Sequence, residues 1–251
     1  LCHRATVLRQ GRVTGECNPG EITTDDIARM MVGNETPLST QVDPSEPGEL
    51  LLQTNNLNYQ TRDPFGTSLQ DICMSLRAGE IVGIAGISGN GQRELTEALL
   101  GQRRRSAGEI RVNGRPYQAT RTEMQRERVY SLPEEPLRNA CIAGMSVAEN
   151  LALRDYDHAP LCRSGWLINR RAIRLRARDL IERFNVRPND PDRPIGTLSG
   201  GNVQRAVLAR ELTEDVAVLI VSNPVFGLDF ASVELIHRRL LEARNRGAAV
   251  L

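Results

Sequence analysis

Two glycine-rich stretches carry the chemistry this sequence can offer. The first, Gly86-Ile87-Ser88-Gly89-Asn90-Gly91-Gln92-Arg93, has the GxxxxG spacing of a loop whose backbone amides cradle phosphate. It lies between an apolar run, EIVGIA (80–85), and a run with helical spacing, RELTEALL (93–100). Strand, loop and helix in that order put the positive end of a helix behind the loop, which favours a bound phosphate. The spacing alone is a weak signal, because about one GxxxxG is expected by chance in a chain of this length. A dinucleotide fingerprint begun at Gly89 fails at Glu94, and a nucleophile elbow begun at Gly86 fails at Asn90. Gln92 stands where a phosphate loop places lysine, and Arg93 where it places the Ser or Thr that holds Mg²⁺. Gln92 donates hydrogen bonds without charge, and Arg93 brings charge without a lone pair for a metal. The loop is built to bind phosphate and poorly built to activate it.

The second stretch, Leu198-Ser199-Gly200-Gly201-Asn202-Val203-Gln204-Arg205, opens a helix running to about Leu212. A serine and two glycines at a helix start present amide donors and one hydroxyl to an anion, although a single such triplet is equally a plain cap. Downstream, VAVLIV (216–221) ends at Ser222-Asn223.

Composition narrows the chemistry further. All 32 basic residues are arginine, which excludes Schiff-base chemistry, a lysine base and the usual phosphate-loop lysine. They are balanced by 31 acidic residues, so bulk charge does not suggest a nucleic-acid surface. The five cysteines form no CxxC pair and read as free thiols of a reducing compartment. His3, His158 and His237 stand apart, without metal-ligand spacing. No apolar run is long enough to span a membrane, and no signal-peptide pattern opens the chain. Both ends read as cuts in a longer polypeptide.

These loops need a frame. From Leu50 onward strand and helix signals alternate, which predicts an α/β fold with a mainly parallel sheet. EIVGIA reads as a strand, and VAVLIV as a parallel strand covered on both faces. Residues 169–185 predict an amphipathic helix with Ile173, Ala177, Leu180, Ile181 and Phe184 inward and arginines in solvent. A further helix is expected near 232–246. Upstream, residues 5–16 read as a hairpin turning at Gln10-Gly11, and Thr23-Thr24-Asp25-Asp26 as the start of a short helix stopped at Gly33. Residues 34–49 hold three prolines and have linker composition. Trp166 is expected to pack in a helical subdomain, and Arg103-Arg104-Arg105 to form a solvated loop.

Together, GISGNGQREL, LSGGNVQRAVLARELT and VLIVSNPVFGLD resemble, in order and spacing, the Walker A, signature, Walker B and D-loop of ABC transporter nucleotide-binding cassettes. The resemblance covers roughly residues 50–251 and implies a P-loop NTPase (RecA-like) fold with a mainly parallel core, a helical signature subdomain and antiparallel β elements. Residues 1–36 look like the tail of a preceding cassette, with 37–49 as linker. Two cassettes in one chain, the second with a Gln-Arg phosphate loop, is similar to importers of simple sugars and nucleosides.

The resemblance implies roles mainly by their loss. Ser222 and Asn223 occupy the Walker B places of the Mg²⁺-binding Asp and the catalytic Glu. Glu134 falls at the Q-loop glutamine, Asp229 matches the D-loop aspartate, and the switch histidine would lie beyond Leu251. Tyr59 and Phe65 are candidates for stacking on adenine, each also readable as ordinary packing. With the lysine, both Mg²⁺ ligands and the general base absent, little machinery for phosphoryl transfer remains. Cassettes of this family close head to tail, so LSGGN (Leu198, Ser199, Gly200, Gly201, Asn202, with Gln204 after it) is expected to face the Mg-ATP site of the first cassette or of a homodimer mate. At the local loop, Arg93 either neutralises phosphate in place of the metal, giving weak Mg²⁺-independent ATP binding, or points outward along the first helical turn. The implied setting is the cytoplasmic face of the cell membrane, with permease subunits, an extracytoplasmic substrate-binding protein reached indirectly, and no nucleic acid. The alternatives are a non-hydrolysing docking module or a soluble tandem-cassette ATPase acting on ribosomes or nucleic acid.

Overall fold

A computed structural model describes residues 2–9, 11–32, 46–212, 215–225, 228 and 230–251. Strands β1 (Ala5–Arg9) and β2 (Arg12–Cys17) form the expected antiparallel hairpin, and helix α1 (Thr24–Val32) follows. Thr23 caps α1, its Oγ1 accepting the N–H of Asp26 at 3.2 Å. Gly33, the boundary at 36/37 and most of the linker lie outside the described residues.

Strand β3 (Leu50–Tyr59) runs between β4 (Leu69–Arg77) and β5 (Ala107–Val112), with β6 (Arg115–Pro116) beyond β5, in a four-stranded antiparallel sheet. Alternation along β3 buries Leu52 and Thr54, and the register shifts before Leu57 is buried in turn. The buried Thr54 hydroxyl donates to the Ile72 carbonyl at 3.0 Å and accepts the Met74 N–H at 3.1 Å. It thus pairs groups that would otherwise be orphaned beside the bulge. Across the same bulge Gly108 (φ +83°) lies so close to Asn56 that a Cβ would stand 2.0 Å from its carbonyl oxygen. Helix α2 (Gln92–Leu99) lays Leu95, Ala98 and Leu99 on this sheet.

The chain then forms α3 (Arg121–Arg126), β7 (Val129–Leu132), α4 (Pro136–Asn139), α5 (Val147–Leu151), the hairpin β8 (Cys162–Arg163) and β9 (Leu167–Ile168), α6 (Arg170–Arg183), α7 (Gly200–Glu211), β10 (Val218–Val221), α8 (Phe230–Asn245) and β11 (Ala249–Val250). The α6 stripe is as expected: Ile173, Ala177, Leu180, Ile181 and Phe184 are buried. Strands β7 and β11 flank β10 in a parallel sheet. Along β10, Val218 and Ile220 enter one core with α2 and the antiparallel sheet, while Leu219 enters the other with α5, α6 and α7. This is why VAVLIV is apolar at every position.

Three sequence expectations need correction. EIVGIA is not a six-residue strand: it makes one parallel bridge, Ile81 to Val250, with the Val82 N–H on the Val250 carbonyl at 2.8 Å. Gly83–Ala85 join no strand among the described residues and are exposed. Trp166 does not pack in the helical region; it is 79% exposed at the tip of the β8–β9 hairpin. Arg103 is not a solvated loop residue either, since it pairs with Glu97 and donates to the Tyr59 hydroxyl at 2.6 Å.

Candidate functional site at the carboxyl edge of the parallel sheet

The chain leaves β7, β10 and the Ile81 bridge in one direction, so Glu134, Ser222-Asn223 and the loop 86–93 all follow the carboxyl ends of parallel strands. That edge is where open α/β sheets bind ligands. In the loop, Gly89 (φ +90°) and Gly91 (φ +99°) hold left-handed conformations that side chains disfavour. Gly91 is the N-cap of α2, and no side chain caps the helix. Its first amides are therefore left to the loop, and Ser88, Gly89 and Asn90 are exposed there. The hydroxyl of Thr67 donates to the Gly89 carbonyl at 2.6 Å, tying the loop to the segment that follows β3.

Gln92 folds back over the loop. Its Nε2 donates to the Ile87 carbonyl at 3.2 Å and lies where a Cβ on Gly86 would come within 2.2 Å. A neutral amide thus closes the loop on itself where a lysine would carry charge. Arg93 lies along α2: Nε pairs with Glu97 Oε1 at 2.8 Å, one turn on, and the side chain is 73% exposed. Burial works to raise the pKa of Glu97, but hydrogen bonds from Arg93 and Arg103 outweigh it and hold the carboxyl below its ordinary range. The loop amides fit a phosphate. The Arg93 guanidinium and the Ser222 hydroxyl, expected from the sequence at metal-ligand places, are not a Mg²⁺ donor set.

The structure joins two of the expected residues that sequence order separates: Asn223 Nδ2 donates to Glu134 Oε1 at 3.1 Å. Asn223 has φ +45° and Ser222 donates its N–H to the Leu132 carbonyl at 2.9 Å, continuing the β7–β10 ladder. Asp229 lies outside the described residues. Of the aromatic candidates, Tyr59 carries the Arg103 guanidinium 5.2 Å from its ring centroid and packs against the core, whereas Phe65 is 96% exposed.

Ser199 is the N-cap residue of α7, in extended conformation and without a capping bond to the helix. Its hydroxyl oxygen instead accepts from Asn202 Nδ2 at 2.9 Å. The Asn202 amide has one possible orientation, because Oδ1 accepts the Arg187 N–H at 2.7 Å. The Ser199 proton and the opening amides of α7 are thereby left for an outside acceptor, and Ser199 and Gly200 are exposed. Leu198 and Gln204 do not share that surface. Leu198 packs in the core, and buried Gln204 donates to the Pro224 carbonyl at 2.9 Å, anchoring the segment after β10 to α7.

Sequence reasoning missed the polar groups that hold these parts together. Buried Glu211 pairs with Arg210 (2.7 Å) and Arg154 (2.9 Å), and Arg210 donates to the carbonyls of Ala140 and Asn150. Arg154 also donates to the Val129 carbonyl at 2.9 Å, so the network ties the helical half to β7. Buried Asn150 accepts the Ile142 N–H and donates to the carbonyls of Ile142, Met145 and Ser146, fixing the loop before α5. The one signal for this network was the charged pair inside the otherwise apolar run AVLARELT.

The family model described as ABC transporter matches residues 69–225, spanning both the phosphate loop and the SGG helix start. The chain belongs to the ABC transporter family. Over 252 aligned residues it is 36% identical to the nucleoside import ATP-binding protein of Lactococcus lactis subsp. cremoris (strain MG1363), covering 100% of this chain and 49% of that protein. It is equally 36% identical to the glucose import ATP-binding protein of Haloferax volcanii, covering 99% of this chain and 45% of that one. The chain thus spans about half the length of these curated relatives. A solved structure described as a nucleotide-free ATP-binding cassette from an ABC transporter superposes with a TM-score of 0.65 at 20% identity, covering 81% of this chain and 80% of that one. The ABC cassette fold, a P-loop NTPase architecture, is therefore shared.

Proposed function

We propose that this ABC cassette is the second of two in an ATP-binding subunit that powers import of a nucleoside or simple sugar. Its Walker A and B side chains no longer support hydrolysis, and its signature completes the ATP site of the first cassette or of a homodimer mate. The observation that carries the reading is a contrast within one chain. Ser199 keeps an exposed, preorganised hydroxyl on an uncapped helix start. The phosphate loop, meanwhile, is closed by Gln92, with Arg93 drawn off to Glu97 and Asn223 bonded to Glu134. In the shared site Ser199 and the first amides of α7 donate to the terminal phosphate of ATP held by the other cassette, so the charge developing there is met without reorganisation. The relatives named for import support the substrate class. No helix among the described residues is long and apolar enough to cross a membrane. The reading therefore places the chain at the cytoplasmic face, held by permease subunits and served indirectly by an extracytoplasmic binding protein.

The test is phosphate release by the chain alone. None above a blank is expected, with or without Mg²⁺. Mg²⁺-dependent release that Gly91→Asp removes would overturn the assignment of the local site as non-hydrolytic.

A further inference from the structure

The β8–β9 hairpin and the first turns of α6 form a surface whose chemistry the nucleotide site does not use. Ser164 (φ +55°) and Gly165 (φ +77°) make a tight turn with both central residues left-handed, which projects Trp166 outward. Trp166 is 79% exposed, Leu167 and Ile168 are about half exposed, and Leu175 is 59% exposed, all within residues 166–175. Arginines are interspersed through the same stretch of chain. Arg174 pairs with Asp192 at 2.7 Å, and Arg170 has Glu149 nearby. The exposed side chains of Arg163, Arg171 and Arg178 make no ion pair or hydrogen bond with the described residues. The exposed acids of this helix are Asp179, paired with Arg183 at 3.3 Å, and Glu182 toward its far end. No acidic residue stands in the first turn of α6, so Arg170 and Arg171 sit unfavourably at the positive end of the helix. Helix stability does not explain them.

We propose that this surface docks on an anionic phospholipid bilayer. An indole beside aliphatic side chains suits the headgroup boundary, and unpaired arginines suit anionic lipid. The surface is a protruding turn. A bilayer accepts such a protrusion directly, whereas a protein partner must supply a matching hollow. The inference depends on the import reading only for placing the chain beside a membrane, and vesicle binding is scored without permease or nucleotide.

Trp166 is the one tryptophan in the sequence, so its fluorescence reports on this surface alone. The chain is titrated with phosphatidylcholine vesicles and with mixed phosphatidylserine–phosphatidylcholine vesicles, each with and without brominated phosphatidylcholine as quencher. The mixed vesicles are expected to shift the emission to the blue and to quench it. Neutral vesicles should give little of either, and high salt should reverse both. Each arginine near a charged surface contributes roughly a fivefold change in partition, so R171Q/R178Q should weaken binding about twenty-five-fold with an unchanged circular dichroism spectrum. Binding that leaves Trp166 emission unmoved, or that ignores phosphatidylserine, would overturn the proposal. A blue shift with polyglutamate but none with vesicles would also overturn it, and would assign the surface to an acidic protein face.

Discussion

Glu211→Ala should unhinge the helical half of the molecule from the parallel sheet. The Glu211 carboxylate is only 3% exposed and takes Arg210 Nε at 2.7 Å, Arg154 Nη1 at 2.9 Å and the Ser131 N–H at 3.4 Å. Removing it leaves two guanidiniums without their shared counter-charge. Their hydrogen bonding largely survives, since Arg210 keeps the Ala140 and Asn150 carbonyls and Arg154 keeps the Val129 carbonyl and the Tyr130 ring. What is lost is the buried charge pairing with Glu211. Breaking a buried pair from one side costs about 3–5 kcal/mol. Arg154 is 20% exposed and reaches some water, whereas Arg210 is 8% exposed. The expected loss is therefore about 3–4 kcal/mol. Glu211→Gln keeps an acceptor oxygen and loses only the charge, and should cost roughly half as much. Urea unfolding followed by far-ultraviolet circular dichroism, compared at matched slopes, measures both. A loss under about 1 kcal/mol for the alanine variant, the scale of an exposed pair, would refute the reasoning. So would equal losses for the two variants.

Three further outcomes follow from the same geometry. Gly108→Ala should destabilise by at least 2–3 kcal/mol, roughly the cost of a left-handed alanine plus displacement of Asn56, and its urea midpoint will show this; an unchanged midpoint would mean that the β3–β5 bulge gives way easily. Glu97 titrates below its ordinary value of 4.5, so its pairing with Arg93 and Arg103 stabilises the fold above that pH and is lost as pH falls through the lowered value. The stability gap between the native chain and Glu97→Gln should be present at neutral pH and narrow as the solution is acidified below 4.5, and a gap that widens on acidification would contradict the pairing. In the full-length protein Asn202→Asp should reduce ATP turnover more than Asn202→Ala. The aspartate would accept the Ser199 proton and set a negative charge beside phosphate, and equal effects would remove Asn202 from its orienting role.

Much of this arrangement is legible in the residues because its causes are local. The left-handed turns at Gly89 and Gly91 are written as glycines, and the stripe of α6 and the unbroken apolar run of β10 report their burial directly. Where neighbours distant in sequence decide, the residues mislead. Trp166 has the composition of a core residue, yet a tight turn carries it outward. Leu198 and Gln204 are expected at the signature from their positions, while the core around α7 takes up Leu198 and the Pro224 carbonyl holds Gln204 inward. Glu211 and Asn150 look like ordinary polar residues until the two halves of the fold close around them.

One comparison tests directly which residues serve ATP and which do not. Steady-state ATP hydrolysis is measured for the full-length protein carrying Ser199→Arg and, separately, Asn223→Ala. An arginine at 199 would fill the space before the first amides of α7, where the account places the terminal phosphate held by the other cassette, and turnover should vanish. Asn223→Ala removes only the bond to Glu134 in a site the account holds to be non-catalytic, and turnover should stay near native. Retained turnover in Ser199→Arg, or abolished turnover in Asn223→Ala, would contradict the division of labour between the signature and the phosphate loop.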